Sequence, residues 1–274
     1  MRYVILAVAT LAGASLFAQA PPRFEVASVT PSAPDAQGML ISGPTPSQFT
    51  IRNAPLISIV TYAYGRPDYQ IAGGPDWIRS ERFDIAAKYP SGYSPAQVAP
   101  MLRALLEDRF RLKTHIETRE APIYALVTAR SDKRFGPQLR RTEVDCVAYR
   151  KELAKKDAVP TNRPGDTCVA ATYGEGRDRA VWASGRTMAQ FAGMLESSAG
   201  RDVVDRTGLA GEFEIRLRWR PDAGMTQGQN PGTADDSAVS LFTAVQEQLG
   251  LRLESARGPV EFLVIDSVER LTPD

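Results

Sequence analysis

The residues that could carry acid–base chemistry are few and far apart in this chain. His115 is the single histidine, and it lies between Thr114 and Ile116 in a segment that alternates like a strand. A histidine that acts as a general base needs a nucleophile nearby, and one that binds zinc needs further ligands. No group of histidines and cysteines in the sequence has zinc spacing. A lone histidine in this position is typical of a surface or half-buried strand residue. We therefore expect no metal site and no catalytic residue.

The acidic pairs Glu107-Asp108 and Asp235-Asp236 are the other candidates for chemistry. The first pair ends an amphipathic pattern, where acids beside arginines form surface pairs. The second precedes a predicted helix, where carboxylates favour the positive end of the helix dipole. No nucleophile elbow, phosphate-binding loop or dinucleotide fingerprint occurs, so we expect no cofactor. A Ser-His-Asp set stays open, because its members meet only in space.

Aromatic residues are concentrated in one segment, residues 62–77, which also holds an arginine and the rigid turn Gly73-Gly74-Pro75-Asp76. Aromatic side chains with polar tips bury much area at low entropy cost, as recognition surfaces require. The segment therefore supplies the candidate binding residues Tyr62, Tyr64, Arg66, Tyr69 and Trp77. The alternative is that Tyr62 and Trp77 fill the core while Tyr64 and Tyr69 cover its edge.

The two cysteines, Cys146 and Cys168, predict one disulfide. An even count favours pairing in an oxidising compartment. A metal pair or redox couple fits less well, because no histidine lies nearby and the spacing is not C-x-x-C.

An internal repeat organises the elements that must position these residues. Residues 49–127 and 181–264 run through matching apolar segments, such as Phe83-Asp84-Ile85 and Phe213-Glu214-Ile215. A unit of roughly 80 residues is the size of a small domain. We therefore predict a tandem duplication and an α+β fold, with two similar β-α-β-β-α-β-β lobes. Each lobe would be a small mixed sheet with two helices on one face.

The boundaries of the predicted repeats, helices and strands follow from hydrophobic periodicity and from turn residues. A strand and loop (21–47) precede the first repeat (48–130), in which Asn53 is expected to cap a helix that carries Pro55 in its first turn. The first repeat is expected to end in two strands, 111–117 and 123–129. A charged insert (131–179) with a helix near 146–156 leads to the second repeat (180–274). Its predicted elements are strands 180–184, 202–204, 212–219, 251–255 and 260–268 and helices 187–198 and 237–249, with a Gly- and Gln-rich loop at 222–236.

Residues 1–20 predict an export signal. Arg2 precedes the uncharged apolar stretch Val4 to Phe17, and Ala18-Gln19-Ala20 has the small-x-small cleavage pattern. The leader holds one of the 33 lysines and arginines and none of the 32 acids, so the mature chain would be balanced in charge. This balance argues against nucleic acid as a partner. We expect no integral membrane segment in the mature chain, and a location in the periplasm or outside the cell.

The chain contains a set of short motifs: Phe24-Glu25-Val26-Ala27-Ser28-Val29, Ala63-Tyr64-Gly65, Gly73-Gly74-Pro75-Asp76-Trp77, Glu107-Asp108-Arg109-Phe110, Glu117-Thr118-Arg119-Glu120, Val204-Asp205-Arg206-Thr207-Gly208-Leu209 and the segment 241–251. Together they resemble a soil-associated family of uncharacterised exported bacterial proteins, a domain-of-unknown-function family. The resemblance covers nearly all of the mature chain and implies no established activity. Some relatives carry the domain fused to a membrane zinc peptidase of the antibiotic-sensor type, which implies a sensing role. Each half is also distantly similar, at Asn53-Ala54-Pro55-Leu56, to the short N-terminal domain of secretins and TonB-dependent receptors, which binds protein partners.

Three functional hypotheses follow. The first is an exported, non-catalytic binding or sensing protein for an envelope protein or a small ligand, using the aromatic segment or a groove between the lobes. The alternative is a secreted hydrolase with a site between the two lobes, around His115 or paired acids. The third is a purely structural envelope protein.

Overall fold

The computed structural model describes residues 22–42, 48–130, 132, 134–155, 167–175, 177–221 and 239–271. The predicted signal peptide, the Gly- and Gln-rich loop and the pair Asp235-Asp236 lie outside these residues. No helix in the described ranges combines the length and the apolar character needed to cross a bilayer.

The chain has an α+β fold of twelve strands and six helices within the described ranges. The strands are β1 (Val26–Pro31), β2 (Leu40–Ser42), β3 (Gln48–Pro55), β4 (Ile71–Gly73), β5 (Arg82–Lys88), β6 (Lys113–Thr128), β7 (Leu139–Arg141), β8 (Ala170–Glu175), β9 (Asp178–Arg186), β10 (Val203–Asp205), β11 (Phe213–Trp219) and β12 (Leu251–Ser267). The helices are α1 (Leu56–Tyr64), α2 (Trp77–Ser80), α3 (Val98–Phe110), α4 (Cys146–Lys155), α5 (Met188–Ala199) and α6 (Leu241–Leu249).

The chain divides into two compact units. The first unit comprises the described residues of Met1–Asp68 and of Ile265–Asp274, together with Gly73–His115. The second unit comprises Tyr69–Ala72 and the described residues of Ile116–Val264.

The first unit is built on an antiparallel sheet with the strand order β1-β5-β3-β2. Alternation along β5 places Phe83, Ile85 and Ala87 in the core. Helix α3 packs there, since Phe110 meets Phe83 edge to face with 5.0 Å between ring centroids. Backbone hydrogen bonding within the same unit includes the N–H of Glu269, which donates to the carbonyl of Phe110.

The expected helix cap at Asn53 is wrong. Strand β3 continues to Pro55, and Asn53 lies at a register shift in its pairing with β5, with a left-handed φ of 50°. Its side-chain nitrogen donates to the carbonyls of Ala36 and Gly38, and its backbone N–H donates to Asp84. Asparagine suits both a cap and a left-handed bulge, so its residue type alone did not distinguish the two.

The second unit contains two sheets, with the strand orders β10-β6-β12-β4 and β7-β11-β9-β8. One core draws on both sheets and on helices α5 and α6, with Phe191, Leu195, Phe213, Ile215 and Val245 fully buried. Strand β10 lies parallel to β6, with Val203 opposite Tyr124. Each short strand therefore lies beside the long strand of the other half of the sequence: β10 beside β6, and β4 beside β12.

The two pairs of closing strands predicted for the repeats are each one continuous strand, β6 and β12. The polar residues 118–120 fall in the predicted break between the first two strands, and Gly258-Pro259 falls in the break between the second two. Residues 118–120 are instead an exposed part of β6. Gly258 lies so near Ile123 that a Cβ there would be 2.7 Å from Cδ1 of Ile123. The observed order in both halves is β-α-β-β-α-β, with the four-residue helix α2 added in the first. The duplication itself stays a prediction.

The predicted disulfide between Cys146 and Cys168 is confirmed. It closes a sequence separation of 22 residues, and both cysteines are buried. Gly185 makes room for it, because a Cβ at this position would lie 2.0 Å from Sγ of Cys146, and the φ of Gly185 is +65°.

Candidate ligand-binding groove

The predicted aromatic residues of the first unit have separate partners. Tyr62 is about one-third exposed and its ring lies against Phe49 with 5.6 Å between centroids. The Tyr64 hydroxyl accepts a hydrogen bond from Oγ1 of Thr114 at 3.2 Å, and the guanidinium of Arg103 lies over its ring. Trp77 begins helix α2 and has the guanidinium of Arg270 over its ring at 5.1 Å.

The other two predicted residues belong to different units, Arg66 to the first and Tyr69 to the second. Arg66 follows the left-handed Gly65 that ends α1, and its backbone N–H donates to Thr61. Tyr69 belongs to the second unit. Among the described residues, no ring contact joins any two of the four aromatic residues of this set, so a shared recognition surface there stays a prediction.

A second candidate lies on the outer face of the sheet β7-β11-β9-β8, in the second unit. Along β11, Phe213, Ile215 and Leu217 point into the core, whereas Arg216 and Arg218 are exposed. Along β9, Val181 and Ala183 join the same core. Since side chains alternate between the faces of a sheet, Ala180 and Trp182 share the outer face with the two arginines.

A groove forms on this face because Ala180 is small. In the register of the sheet, Ala180 lies opposite Tyr173 of β8 and opposite Arg218 of β11. Trp182 follows two residues along the strand and lies opposite Arg216. The larger side chains surround the alanine and leave a volume of about 500 Å³, which is within the range of small-molecule sites. We call this site the Ala180 groove.

The rim of the Ala180 groove is fixed by two glutamines. Strand β7 pairs only with the first residues of β11, which would leave the edge of β11 open at Arg218. The side chain of Gln248 covers it: its oxygen accepts the N–H of Arg218 at 3.0 Å, and its nitrogen donates to the carbonyl of Arg218 at 2.8 Å. The carbonyl of Gln138 accepts the N–H of Arg216 at 3.0 Å. The wall is thus tied to the sheet backbone.

The arginines along this face differ in how their charge is compensated. Arg140 binds Glu214 through Nε at 2.8 Å. Arg218 and Arg220 both bind Asp178, at 2.8 and 2.9 Å. Desolvation raises the pKa of Asp178, but the hydrogen bonds from Arg220 and Arg218 outweigh it, so the pKa lies below its usual value.

Arg216 is the exception. Its Cζ lies 4.1 Å from the ring centroid of Trp182, a cation–π contact. No carboxylate among the described residues lies within ion-pair distance of it. Nε1 of Trp182 is buried and has no hydrogen-bond acceptor in the described part of the chain. Arg216 and Trp182 thus form a cation–aromatic wall of the groove.

A cluster of titratable groups lies elsewhere in the second unit, at the end of helix α5. Oε1 of Glu196 accepts the N–H of Val203 at 3.4 Å, and Oδ1 of Asp202 accepts from Nε2 of Gln70 at 2.6 Å. Burial raises the pKa of Glu196; the bond from Val203 opposes this and the charge of Asp202 adds to it. Burial, followed by the charges of Asp202 and Glu196, also raises the pKa of Tyr69. Glu196 thus joins α5 to β10, whereas Asp202 joins the segment before β10 to Gln70, just before β4.

The substitution Glu196→Gln should therefore change how stability depends on pH. Because the folded-state pKa of Glu196 is raised, its ionised form opposes folding, and this penalty is complete above the folded pKa and absent below the unfolded pKa. Glutamine keeps an acceptor for Val203 and removes the charge. We expect the variant to gain stability relative to wild type as the pH rises from about 4 to about 8, measured by urea unfolding across that range.

The control for this experiment is Glu107→Gln, which removes a carboxylate from an exposed position of helix α3. A difference between Glu196→Gln and wild type that stays constant across the pH range would contradict the assignment.

His115, the remaining candidate for chemistry, lies in the first unit. Its Nδ1 is 2.8 Å from Oδ1 of Asp266, and both side chains are about half exposed. The described residues contain no group of three or more histidines, cysteines and acids that could hold a metal ion. The arrangement is a solvent-exposed side-chain contact between the start of β6 and the end of β12.

Sequence reasoning missed the Ala180 groove, although it predicted strands β9 and β11. A signal was present: Arg216 and Arg218 alternate with core residues, and Trp182 falls on the same outer face. The groove also needs Tyr173, which lies in a segment treated as part of a charged insert. These side chains come together through the register of three paired strands, and the sequence of a single strand does not determine that register.

Comparison with known proteins gives one family match. Residues 57–268 match the family model described as "Protein of unknown function (DUF3738)". No curated protein and no solved structure matches the chain.

Proposed function

The chain belongs to this family of proteins of unknown function, and we propose that it is an exported, non-catalytic binding or sensing protein whose small ligand occupies the Ala180 groove. The observation that carries the proposal is the groove itself. It is an open groove of ligand size with an aromatic residue on two sides, and its rim is held by backbone hydrogen bonds. Ligand sites usually combine aromatic and apolar lining with a few polar groups.

A binding role also fits the way the polar groups are arranged. In the groove, hydrogen bonds and ion pairs position the rim, but no described acid or base faces a nucleophile. The export signal predicted from residues 1–20 would place the ligand outside the cytoplasm. The resemblance to soil-associated exported proteins, with sensor fusions among them, and to the secretin and TonB-receptor domain supports a sensing role in the envelope.

Filling the groove tests the proposal. We expect Ala180→Phe to place a ring where the ligand lies, so ligands found by thermal shift with the wild type should bind the variant at least about tenfold more weakly. At a concentration of about 100 times the Kd, a ligand should stabilise the wild type by about 2.7 kcal/mol. The matched control is Ala86→Phe, at an exposed strand position in the first unit.

Ala180 is only 4% exposed, so a second variant guards against misfolding. Tyr173→Ala removes one wall without adding bulk and should also weaken binding. If ligands stabilise Ala180→Phe and Tyr173→Ala as much as wild type, the groove is not the site. Loss of binding in Tyr64→Ala or Tyr69→Ala instead would place the ligand on the predicted aromatic segment.

A further inference from the structure

Resting on the proposed function, we infer the chemical class of the ligand: a small organic carboxylate with a planar apolar body, whose carboxylate binds Arg216. The inference starts from charge. Arg140, Arg218 and Arg220 each bind a carboxylate of the same unit. Arg216 has only the ring of Trp182 among the described residues. Of these four arginines, it is the one without a carboxylate partner in the described part of the chain.

Trp182 prepares Arg216 for that role. The ring covers one side of the guanidinium and limits its rotation, so less side-chain entropy is lost when a ligand binds. A guanidinium that stacks on an aromatic ring keeps its N–H edge for a carboxylate, which it binds through two parallel hydrogen bonds. Arg216 is exposed, so a ligand in the groove reaches this edge without a change in the backbone.

The rest of the groove fits a planar apolar body. Tyr173 stands opposite Ala180, and the alanine leaves a floor without polar side-chain atoms. A flat ring on this floor would contact the Tyr173 ring and the Cβ of Ala180. Aromatic pairs of this kind add to the free energy gained from area alone.

One negative charge suits this site better than two. A single unpaired guanidinium matches one carboxylate, whereas dianionic phosphate is usually held by several cations or by backbone N–H groups. The rim also carries Glu247, an exposed acid that lines the same groove. Its charge repels any anionic group and repels a dianion more strongly than a monoanion. The site therefore selects a monoanion.

The test uses two probes with the same ring, the anion naphthalene-1-acetate and its neutral amide, naphthalene-1-acetamide. Their affinities are measured by isothermal titration calorimetry with the full mature chain. We expect the carboxylate to bind the wild type about tenfold more tightly than the amide. Arg216→Gln should abolish this difference by weakening only the carboxylate. Arg216→Lys should restore part of it, because lysine keeps the charge but not the fork.

Glu247→Gln provides a change of the opposite sign. It removes the repelling charge, so the carboxylate should bind more tightly and the amide should be unaffected. All variants are compared with Ala180→Phe, which should weaken both probes.

The outcomes separate the two proposals. If both probes bind equally to wild type and both are lost in Ala180→Phe, the groove is a ligand site but does not select carboxylates. If the carboxylate preference persists in Arg216→Gln, Arg216 is not its source and the inference fails. If neither probe binds the wild type at millimolar concentration, the ligand class is wrong. Binding that Ala180→Phe leaves unchanged overturns the proposed function as well.

Discussion

Replacing Gly136 by alanine is expected to lower the free energy of unfolding by about 3 kcal/mol or more. A Cβ at Gly136 would lie 2.4 Å from the carbonyl oxygen of Gln248 and 2.7 Å from the nitrogen of Gly250. These are backbone atoms and cannot move aside as a flexible side chain would. The backbone of Gly136 also donates to Leu249 at 2.9 Å, so the added methyl group would break the contact between this segment and the end of α6.

The measurement is urea unfolding followed by circular dichroism, with Gly193→Ala as the matched control. Gly193 lies within helix α5, and a Cβ there meets nothing within 4 Å. Alanine should stabilise this helix by about 0.5–1 kcal/mol. The two glycine substitutions should therefore act in opposite directions. Similar stability of Gly136→Ala and wild type would show that the segment can move away from α6.

Gly136→Ala should also weaken ligand binding in the Ala180 groove. Gly136 lies close to the two glutamines that fix the rim of the groove, Gln138 and Gln248. The backbone N–H of Gln138 donates to the carbonyl of Gln248 at 2.9 Å. If this segment moves outward, the side chain of Gln248 no longer reaches Arg218. Affinity measured on the folded fraction reports this effect separately from stability.

Removal of the disulfide, by Cys146→Ser with Cys168→Ser, is expected to cost about 3 kcal/mol. The bridge closes a separation of 22 residues, and opening it restores conformational freedom to the unfolded chain. The buried serines add a cost of their own unless their hydroxyls find partners. The measurement is the urea midpoint of the oxidised wild type against that of the double variant.

Reduced wild-type protein is the control for this second experiment. It lacks the cross-link but keeps both sulfur atoms, so it isolates the effect of the covalent bond. We expect its midpoint to lie between those of the oxidised wild type and the double variant. Equal midpoints for all three proteins would mean that the bridge does not constrain the unfolded state.

The sequence predicts the fold class and most elements because their signals are local. Alternation along residues 212–219 predicted a strand that the structure places at Phe213–Trp219. The pattern of Met188, Phe191, Ala192 and Leu195 predicted α5, and all four are fully buried. The disulfide followed from cysteine count and the inferred compartment. In each case one segment contained all the information needed.

The predictions differ from the structure where the conformation of a segment depends on residues distant in sequence. Asn53 has the residue type of a helix cap, but its amide binds the carbonyls of Ala36 and Gly38. Residues 118–120 are polar because that part of β6 is exposed, so their composition suggested a break between two strands. Strand β8 has no strong alternation and is specified by its pairing with β9. Because β8 was not predicted, Tyr173 and the Ala180 groove were not predicted either.

The candidate surface at residues 62–77 illustrates a related limit. Residue type shows that a side chain is aromatic with a polar tip, but not what that tip already binds. The Tyr64 hydroxyl has a hydrogen bond from Thr114, and the Trp77 ring has Arg270 over it. By contrast, Arg216 was unremarkable in the sequence and is distinctive only by comparison with the paired arginines around it.

Strand β10 pairs with β6, and β4 pairs with β12. This pairing has a consequence for how a duplicated chain could have arisen. The shortest strand of each half pairs with the longest strand of the other half. Under the predicted duplication, an ancestor consisting of one half would have had a vacant edge beside its longest strand, which a second copy of itself could have filled. The present chain would then correspond to such a dimer joined in one chain, with each half depending on the other for one strand of this sheet.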